Sequence, residues 1–232
     1  MEPKGFGDSQ ITVLVGHAGV GKTNVALGLA KVLADEGYQV TLADLDVVNP
    51  YFRSSDYPEY LAEAGVELIA PVLARTTLDT PSISGVVDSA IAAAAADPKR
   101  RLILDVGGDD DGATTIGRWA GQLERAGAQV LYVVSAYRAL TQTAVEAAQI
   151  MHDIEDHAHL KCAAILNTSN LGDETTSEHV AYGRSFAREV AAATGLPIVA
   201  TVVPEVAGTE DLGEGTEPLV YMPRHVRLPW DA

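Results

Sequence analysis

The segment Gly16-His17-Ala18-Gly19-Val20-Gly21-Lys22-Thr23 constrains this chain more than any other. It fits the spacing G-x-x-x-x-G-K-[ST], with the apolar run Ile11–Val15 before it and a helical pattern from Asn24 to Glu36 after it. A strand, a glycine-rich turn and a helix in that order wrap successive N–H groups around a phosphate, and the helix start adds positive partial charge. In such a loop the Lys22 ammonium reaches the β- and γ-phosphates and the Thr23 hydroxyl ligates Mg²⁺. The expected nucleotide contacts are therefore Gly16, His17, Ala18, Gly19, Val20, Gly21, Lys22, Thr23 and Asn24.

The rest of the chain reads as one domain built around that loop. Its 232 residues are 47% hydrophobic, enough for a core on both faces of a sheet. Short apolar runs at Ile11–Val15, Val40–Ala43, Leu102–Asp105, Val130–Val134, Ala163–Leu166 and Ile198–Val203 alternate with helical stripes. One stripe is Val25, Leu29, Val32 and Leu33; another is Leu140, Ala144, Ala147, Met151 and Ile154. Near-continuous apolar strands between helices imply an α/β three-layer sandwich, a mostly parallel sheet with helices on both faces. Residues 1–10 read as a polar N-terminal tail and 208–232, with Pro218, Pro223 and Pro229, as an irregular C-terminal tail. Asp46–Ala64 and Pro71–Ser84 read as long loops, the first with one helical turn.

Charge and cysteine usage narrow the partners. A net charge of −16 repels phosphate backbones and anionic lipids. The basic trio Lys99-Arg100-Arg101 reads as a solvated turn, and no aromatic–basic alternation marks a nucleic-acid surface. A single cysteine, Cys162, reads as a small core residue in a reducing compartment. With neither a signal-peptide pattern nor a bilayer-length apolar run, the expectation is a cytoplasmic protein that does not engage membranes. His152, His157 and His159 do not share a helical face, so they read as a polar helix end rather than a metal site.

Two acidic strand ends complete the expected site. Asp105, closing Leu102-Ile103-Leu104 and followed by Val106-Gly107-Gly108, sits where a carboxylate holds Mg²⁺. Gly107 and Gly108 would let the following loop approach a γ-phosphate. Asp44 and Asp46 follow the second strand, and alternation of an extended chain would place both on one face. One would orient metal-bound water and the other the attacking water; a structural loop cap is the alternative. Lys22, Asp46 and Asp44 are thus the expected catalytic residues, and Thr23, Asp46 and Asp105 the expected Mg²⁺ set.

These elements resemble the MinD/ParA-like branch of SIMIBI-class P-loop NTPases, the group that also contains CobQ- and CobB-type synthetases and nitrogenase-iron-protein-like ATPases. The resemblance rests on the compact glycine-rich loop, Asp44-Leu45-Asp46 on the next strand, and Asp105-Val106-Gly107-Gly108. It implies ATP or ADP with Mg²⁺ as ligands, Asp46 as a water-positioning switch residue, and Gly107-Gly108 as part of a second switch. It also implies Asn167 at the adenine ring, with Pro204-Glu205 beside it; a strand-end Asn is equally a turn former. Dimerising members carry a second lysine directly after the first P-loop glycine, and His17 stands there, so a homodimer is possible but not implied by charge. A neutral imidazole does not supply that charge, and Arg53 is a candidate substitute.

The function expected is that of a slow Mg²⁺-dependent ATPase acting as a nucleotide switch on an unknown protein partner or small-molecule substrate. Two alternatives stand beside it. One is a biosynthetic enzyme of the CobB or dethiobiotin-synthetase kind, with a substrate pocket at Asp109–Asp111 and Asn49–Arg53. The other is a regulatory subunit that binds nucleotide without hydrolysing it.

Overall fold

Alternation of buried side chains decides how the strands of this chain are covered. The computed structural model describes residues 5–46, 53–70, 80–108 and 110–226. In chain order the elements are β1 (Ile11–Val15), α1 (Lys22–Asp35), β2 (Gln39–Leu45), a 3₁₀ turn at Ser54–Asp56, α2 (Pro58–Glu63), β3 (Glu67–Ile69), α3 (Thr80–Ala96) and β4 (Arg100–Val106). There follow α4 (Asp110–Gly117), α5 (Ala120–Arg125), β5 (Gln129–Val134), α6 (Ala144–Ala158), β6 (Ala164–Asn167), α7 (Ser177–Thr194), β7 (Ile198–Pro204) and β8 (Leu219–Met222). The eight strands form one sheet in the order β3-β2-β4-β1-β5-β6-β7-β8, and every pairing is parallel.

Odd and even positions of the central strands enter different cores. Ile11, Val13 and Val15 join Leu102, Leu104 and Val106, Val130, Tyr132 and Val134 against Ile91 of α3, Ile116 of α4, Met151 of α6 and Val190 of α7. Leu14, Ile103, Leu131 and Val133 face Val25, Leu29 and Leu33 of α1 and Leu61 of α2. Helices thus cover both faces, the three-layer arrangement expected of buried parallel strands. The alternation also aims the acidic strand ends. Asp105 follows Ile103 and Asp44 follows Leu42, so both point to the α1 side, and the register sets Asp44 directly beside Asp105.

Several sequence expectations need correction. Helix α1 starts at Lys22 rather than Asn24, because Gly21 takes a left-handed conformation (φ 100°) at its N-cap. Residues 5–10 are not a free tail. Phe6 packs on the α1 core, Ser9 is buried, and Gln10 Nε2 donates to Ala94 O (2.7 Å) and Asp97 O (3.1 Å). The expected irregular tail 208–232 contains β8, which pairs with β7 and carries Met222 into the α1 core. An ion pair inside the protein anchors that return. Arg184 Nε lies 2.6 Å from Glu217 Oε1, and Arg184 Nη1 donates to Leu212 O (3.0 Å) and Gly213 O (2.6 Å).

The two long loops are shorter than expected. Helix α2 and the 3₁₀ turn occupy much of 53–64, with Pro58 at the first helical position, where its missing N–H costs nothing. Helix α3 begins at Thr80, tolerating Pro81 in its first turn. The segments 47–52 and 71–79, with Asn49, Pro50, Tyr51, Phe52 and Pro71, lie outside the described residues, as does Asp109. Arg101 is no solvated turn residue: it is buried in β4 with its guanidinium 3.7 Å above the Tyr38 ring.

Candidate nucleotide site

The parallel sheet gathers its functional residues at the C-terminal ends of β1, β2, β4, β6 and β7, where a cleft of about 930 Å³ opens. One wall is the P-loop and the start of α1: Ala18, Gly19, Gly21, Lys22, Thr23 and Asn24. Gly16 (φ 148°) lies tight on β5, and a Cβ there would run into the Val133 carbonyl. Lys22 is buried, and its Nζ donates to Gly16 O (2.8 Å) and His17 O (3.0 Å). Val20 is buried beneath the loop, its carbonyl 2.5 Å from the Thr168 hydroxyl, which is also 3.0 Å from Val134 O. Thr168 therefore ties the P-loop to β5 and β6, a role no local pattern announces. Asn24 lines the cleft, but its side chain clamps the C-terminal segment: Oδ1 accepts from His225 N (2.7 Å) and Val226 N (3.1 Å).

Asp105 forms the floor behind Lys22. It is 2% exposed, accepts a bond from Ser54 Oγ (2.6 Å), and is hydrogen-bonded by Thr23. Burial, and then the neighbouring Asp44 charge, push its carboxyl up to about 6, against the pull of Ser54, Lys22 and Thr23. A hydroxyl beside a desolvated carboxylate is a hard-oxygen donor set, which suits Mg²⁺.

The two aspartates at the end of β2 do different things. Asp46 lines the cleft with Gly108 and Lys22. Asp44 is wholly buried: Oδ1 accepts from Asp46 N (3.0 Å) and Oδ2 from Ser55 N (3.0 Å). Its carboxyl is raised above the usual range by burial, opposed by those hydrogen bonds and by Arg53. Asp44 thus caps the loop after β2 and does not line the cleft, since the chain turns after Leu45 and strand alternation stops there. Arg53 is likewise buried near Asp44 rather than set in the cleft wall.

Past β4, Gly107 and Gly108 lie against Asp46 and the P-loop. A Cβ on Gly107 would sit 3.3 Å from Asp46 Oδ1, and one on Gly108 would sit 2.5 Å from Ala18 N and 2.9 Å from Lys22 Nζ. His17 carries little positive charge at neutral pH. Burial, then the charges of Lys22 and Arg138, hold its imidazole below the usual range.

The far end of the cleft is made by Asn170–Glu174, by Val202 and Pro204–Val206, and by Pro223, Arg224 and Val226. Pro204 stands in the wall; Asn167 does not. It is 1% exposed, with Nδ2 donating to Thr201 Oγ1 (3.2 Å) and Oδ1 accepting from Ser169 N (3.1 Å) and Ser169 Oγ (2.7 Å). Its amide shapes the β6 turn, and Asn170 is the asparagine of this run that lines the cleft, its own amide donating to Thr168 O (2.8 Å) and accepting from Gly172 N (3.0 Å). Sequence reasoning missed Ser54, Ser55, Thr168, Asn170 and Arg138; only Asn170, in the same polar run as Asn167, left a local signal. Among the described residues no cluster of three or more His, Cys, Asp or Glu is placed to hold a metal, and no helix is long and apolar enough to cross a membrane.

A parallel α/β sheet with a lysine-bearing P-loop at one strand end and an acidic strand end beside it defines a P-loop nucleotide-binding protein. The sequence matches the CobQ/CobB/MinD/ParA nucleotide binding domain over residues 11–219, and the chain belongs to that family. No curated protein matches it. Among solved structures it is similar to cell division protein FtsY from Thermotoga maritima, with a TM-score of 0.56 at 20% identity over 85% of this chain and 60% of that one. It is similar also to FtsY from Mycoplasma mycoides, with a TM-score of 0.57 at 19% identity over 82% of this chain and 58% of that one. Signal recognition particle 54 kDa protein from Aeropyrum pernix K1, in complex with GDP, gives 0.56 at 20% identity over 87% and 42%. The chain spans only about half the length of these neighbours, and the likeness is one of fold.

Proposed function

We propose that this chain is a Mg²⁺-dependent ATP-binding switch that hydrolyses ATP slowly. The observation that carries the reading is the buried Asp105, hydrogen-bonded to Thr23 and beside the P-loop Lys22. Polyphosphate charge would be met by Lys22 and by the inward N–H groups of the loop. Thr23 and Asp105 would hold Mg²⁺, which when bound adds positive charge at the phosphate oxygens. Asp46, held in place through the Asp44 cap on its N–H, would orient the attacking water. Gly107 and Gly108 follow β4 within reach of Asp46 and Lys22, so contact with a terminal phosphate would bias this loop and the one after β2 together. A partner protein or substrate would read those two loops.

Adenine is favoured over guanine by the run Asn167-Thr168-Ser169-Asn170, which lacks the Lys and acidic residue of a guanine-reading N-K-x-D. The test is fluorescent-nucleotide titration of the purified chain with ATP and GTP, with Mg²⁺ and with EDTA, beside Lys22→Ala. ATP should bind at least about tenfold tighter than GTP, a difference of roughly 1.4 kcal/mol. Binding should weaken in EDTA and in the variant, and phosphate should be released slowly from bound ATP. Preference for GTP would overturn the adenine assignment; failure to bind either nucleotide would overturn the whole reading.

A further inference from the structure

Arg138 lies on the turn that follows β5, and this turn is firmly held. Ala136 N donates to Ser169 Oγ (2.9 Å), Thr141 Oγ1 to Ser135 O (3.2 Å), and Tyr137 OH to His179 O (3.0 Å). From that base the Arg138 side chain reaches over the P-loop. Its Nε and Cζ lie 3.5 and 3.7 Å from the point where a Cβ on Gly19 would be. The guanidinium lines the same cleft as Lys22, Thr23 and Gly108.

Its surroundings are unusual for an arginine in a chain with 32 acidic residues. Among the described residues its side chain has no carboxylate or carbonyl partner, and it lines the cleft that also holds Lys22 and Asp46. Lys22 and Arg138 thus bring two positive charges to one glycine loop. Such an arrangement favours an anion of high charge lying between them. A planar guanidinium with its donors turned to phosphate oxygens fits that anion better than a point charge does. His17, at the P-loop position where dimerising relatives carry a lysine, stays largely neutral.

We infer that Arg138 is a polyphosphate ligand supplied by the same chain, so that one copy completes the charge of its own nucleotide site. The inference rests on the nucleotide-switch reading and deepens it. Charge delivered in cis makes nucleotide binding independent of a second copy. It also couples the β5–α6 turn to the phosphates, giving the switch a third element beside the loops after β2 and β4.

The experiment compares the wild-type chain with Arg138→Ala, Arg138→Lys and Lys22→Ala, each titrated with fluorescent ATP and by competition with inorganic tripolyphosphate. Titrations are run where light scattering reports single chains. Loss of a charge-assisted hydrogen bond predicts that Arg138→Ala weakens both probes by roughly 10- to 100-fold. Its melting temperature without ligand should stay at the wild-type value, and the dependence of affinity on salt should become shallower. Arg138→Lys, which keeps the charge but not the planar fork, should recover only part of the affinity, whereas a purely structural stacking role would allow no recovery. If Arg138→Ala binds both probes as wild type does while Lys22→Ala does not, this inference falls and the nucleotide site stands. A loss seen only where dimers form would place the charge in trans and overturn it as well. If the wild-type chain binds neither probe, both readings fall.

Discussion

Removing the charge of Asp105 should make the ligand-free protein more stable while destroying its use. The carboxyl is 2% exposed, lies in register with a second buried carboxyl, Asp44, and is pushed up from 3.8 to about 6. A rise of that size is worth roughly 3 kcal/mol, held as unfavourable charge in the folded state at neutral pH. Asn keeps the shape but turns one acceptor into a donor, and the bonds from Ser54 and Thr23 suffer, at a cost of about 1 kcal/mol. The net gain for Asp105→Asn is about 2 kcal/mol, or roughly 4–8 °C in a chain of this size.

The pH dependence fixes the cause. A carboxyl raised in the folded state favours folding below its unfolded pKa of 3.8, and that contribution disappears as pH rises through about 6. The advantage of Asp105→Asn should therefore be full at pH 7.5 and small at pH 4.5, where the folded wild type is already protonated. Thermal melts followed by circular dichroism in EDTA, without nucleotide, measure both. Adding Mg²⁺ and ATP should raise the wild-type midpoint and leave the variant unmoved. A variant that melts at or below wild type at pH 7.5, or one whose advantage is the same at pH 4.5, would refute the reasoning.

Four further outcomes are expected. Arg184→Ala leaves Glu217 buried without its cation and should cost about 3–5 kcal/mol in urea unfolding. Burial raises the Glu217 carboxyl, but the Arg184 hydrogen bond and charge outweigh it and hold it below its usual value of 4.5. The stability it contributes is thus present above pH 4.5 and should fade on acidification in wild type, but not in Glu217→Gln. Gly28→Ala puts a methyl into Met222, and should cost about 1–3 kcal/mol if β8 is docked on α1 as described; an unchanged urea midpoint would contradict that docking. Gly108→Ala places a Cβ 2.5 Å from the Ala18 backbone, so nucleotide affinity should fall by at least about tenfold (roughly 1.4 kcal/mol) and folding stability by about 1–3 kcal/mol.

The layers of the fold were legible because their signal is local and repeated. Six of the eight strands show as apolar runs, since a strand covered on both faces needs apolar residues at nearly every position. The two that escaped are both at sheet edges and short. β3 is three residues with an exposed Glu67, and β8 is four residues with Pro218 before it and Pro223 after it. Edge strands are half-covered, so their composition resembles a loop. What holds β8 is the Arg184–Glu217 pair and Met222 against Gly28, contacts across more than 30 residues that no window of sequence contains.

The site divides along the same line. A P-loop is contiguous, so its contacts can be enumerated from sequence; the residues that brace it come from elsewhere. Thr168 holds the Val20 carbonyl from 148 positions away, and Ser54 reaches Asp105 across 51. Asp44 and Asp46 show the limit most sharply. Alternation assigns both to one face only while the strand lasts, and β2 ends at Leu45. Beyond it the Asp44 carboxylate captures the Asp46 N–H and the Ser55 N–H, bending the chain so that Asp46 alone enters the cleft. The pair therefore works as a holder and a held residue. Mutating Asp44 should then act through the placement of Asp46 and the folding of the 53–56 turn, not through lost contact with phosphate.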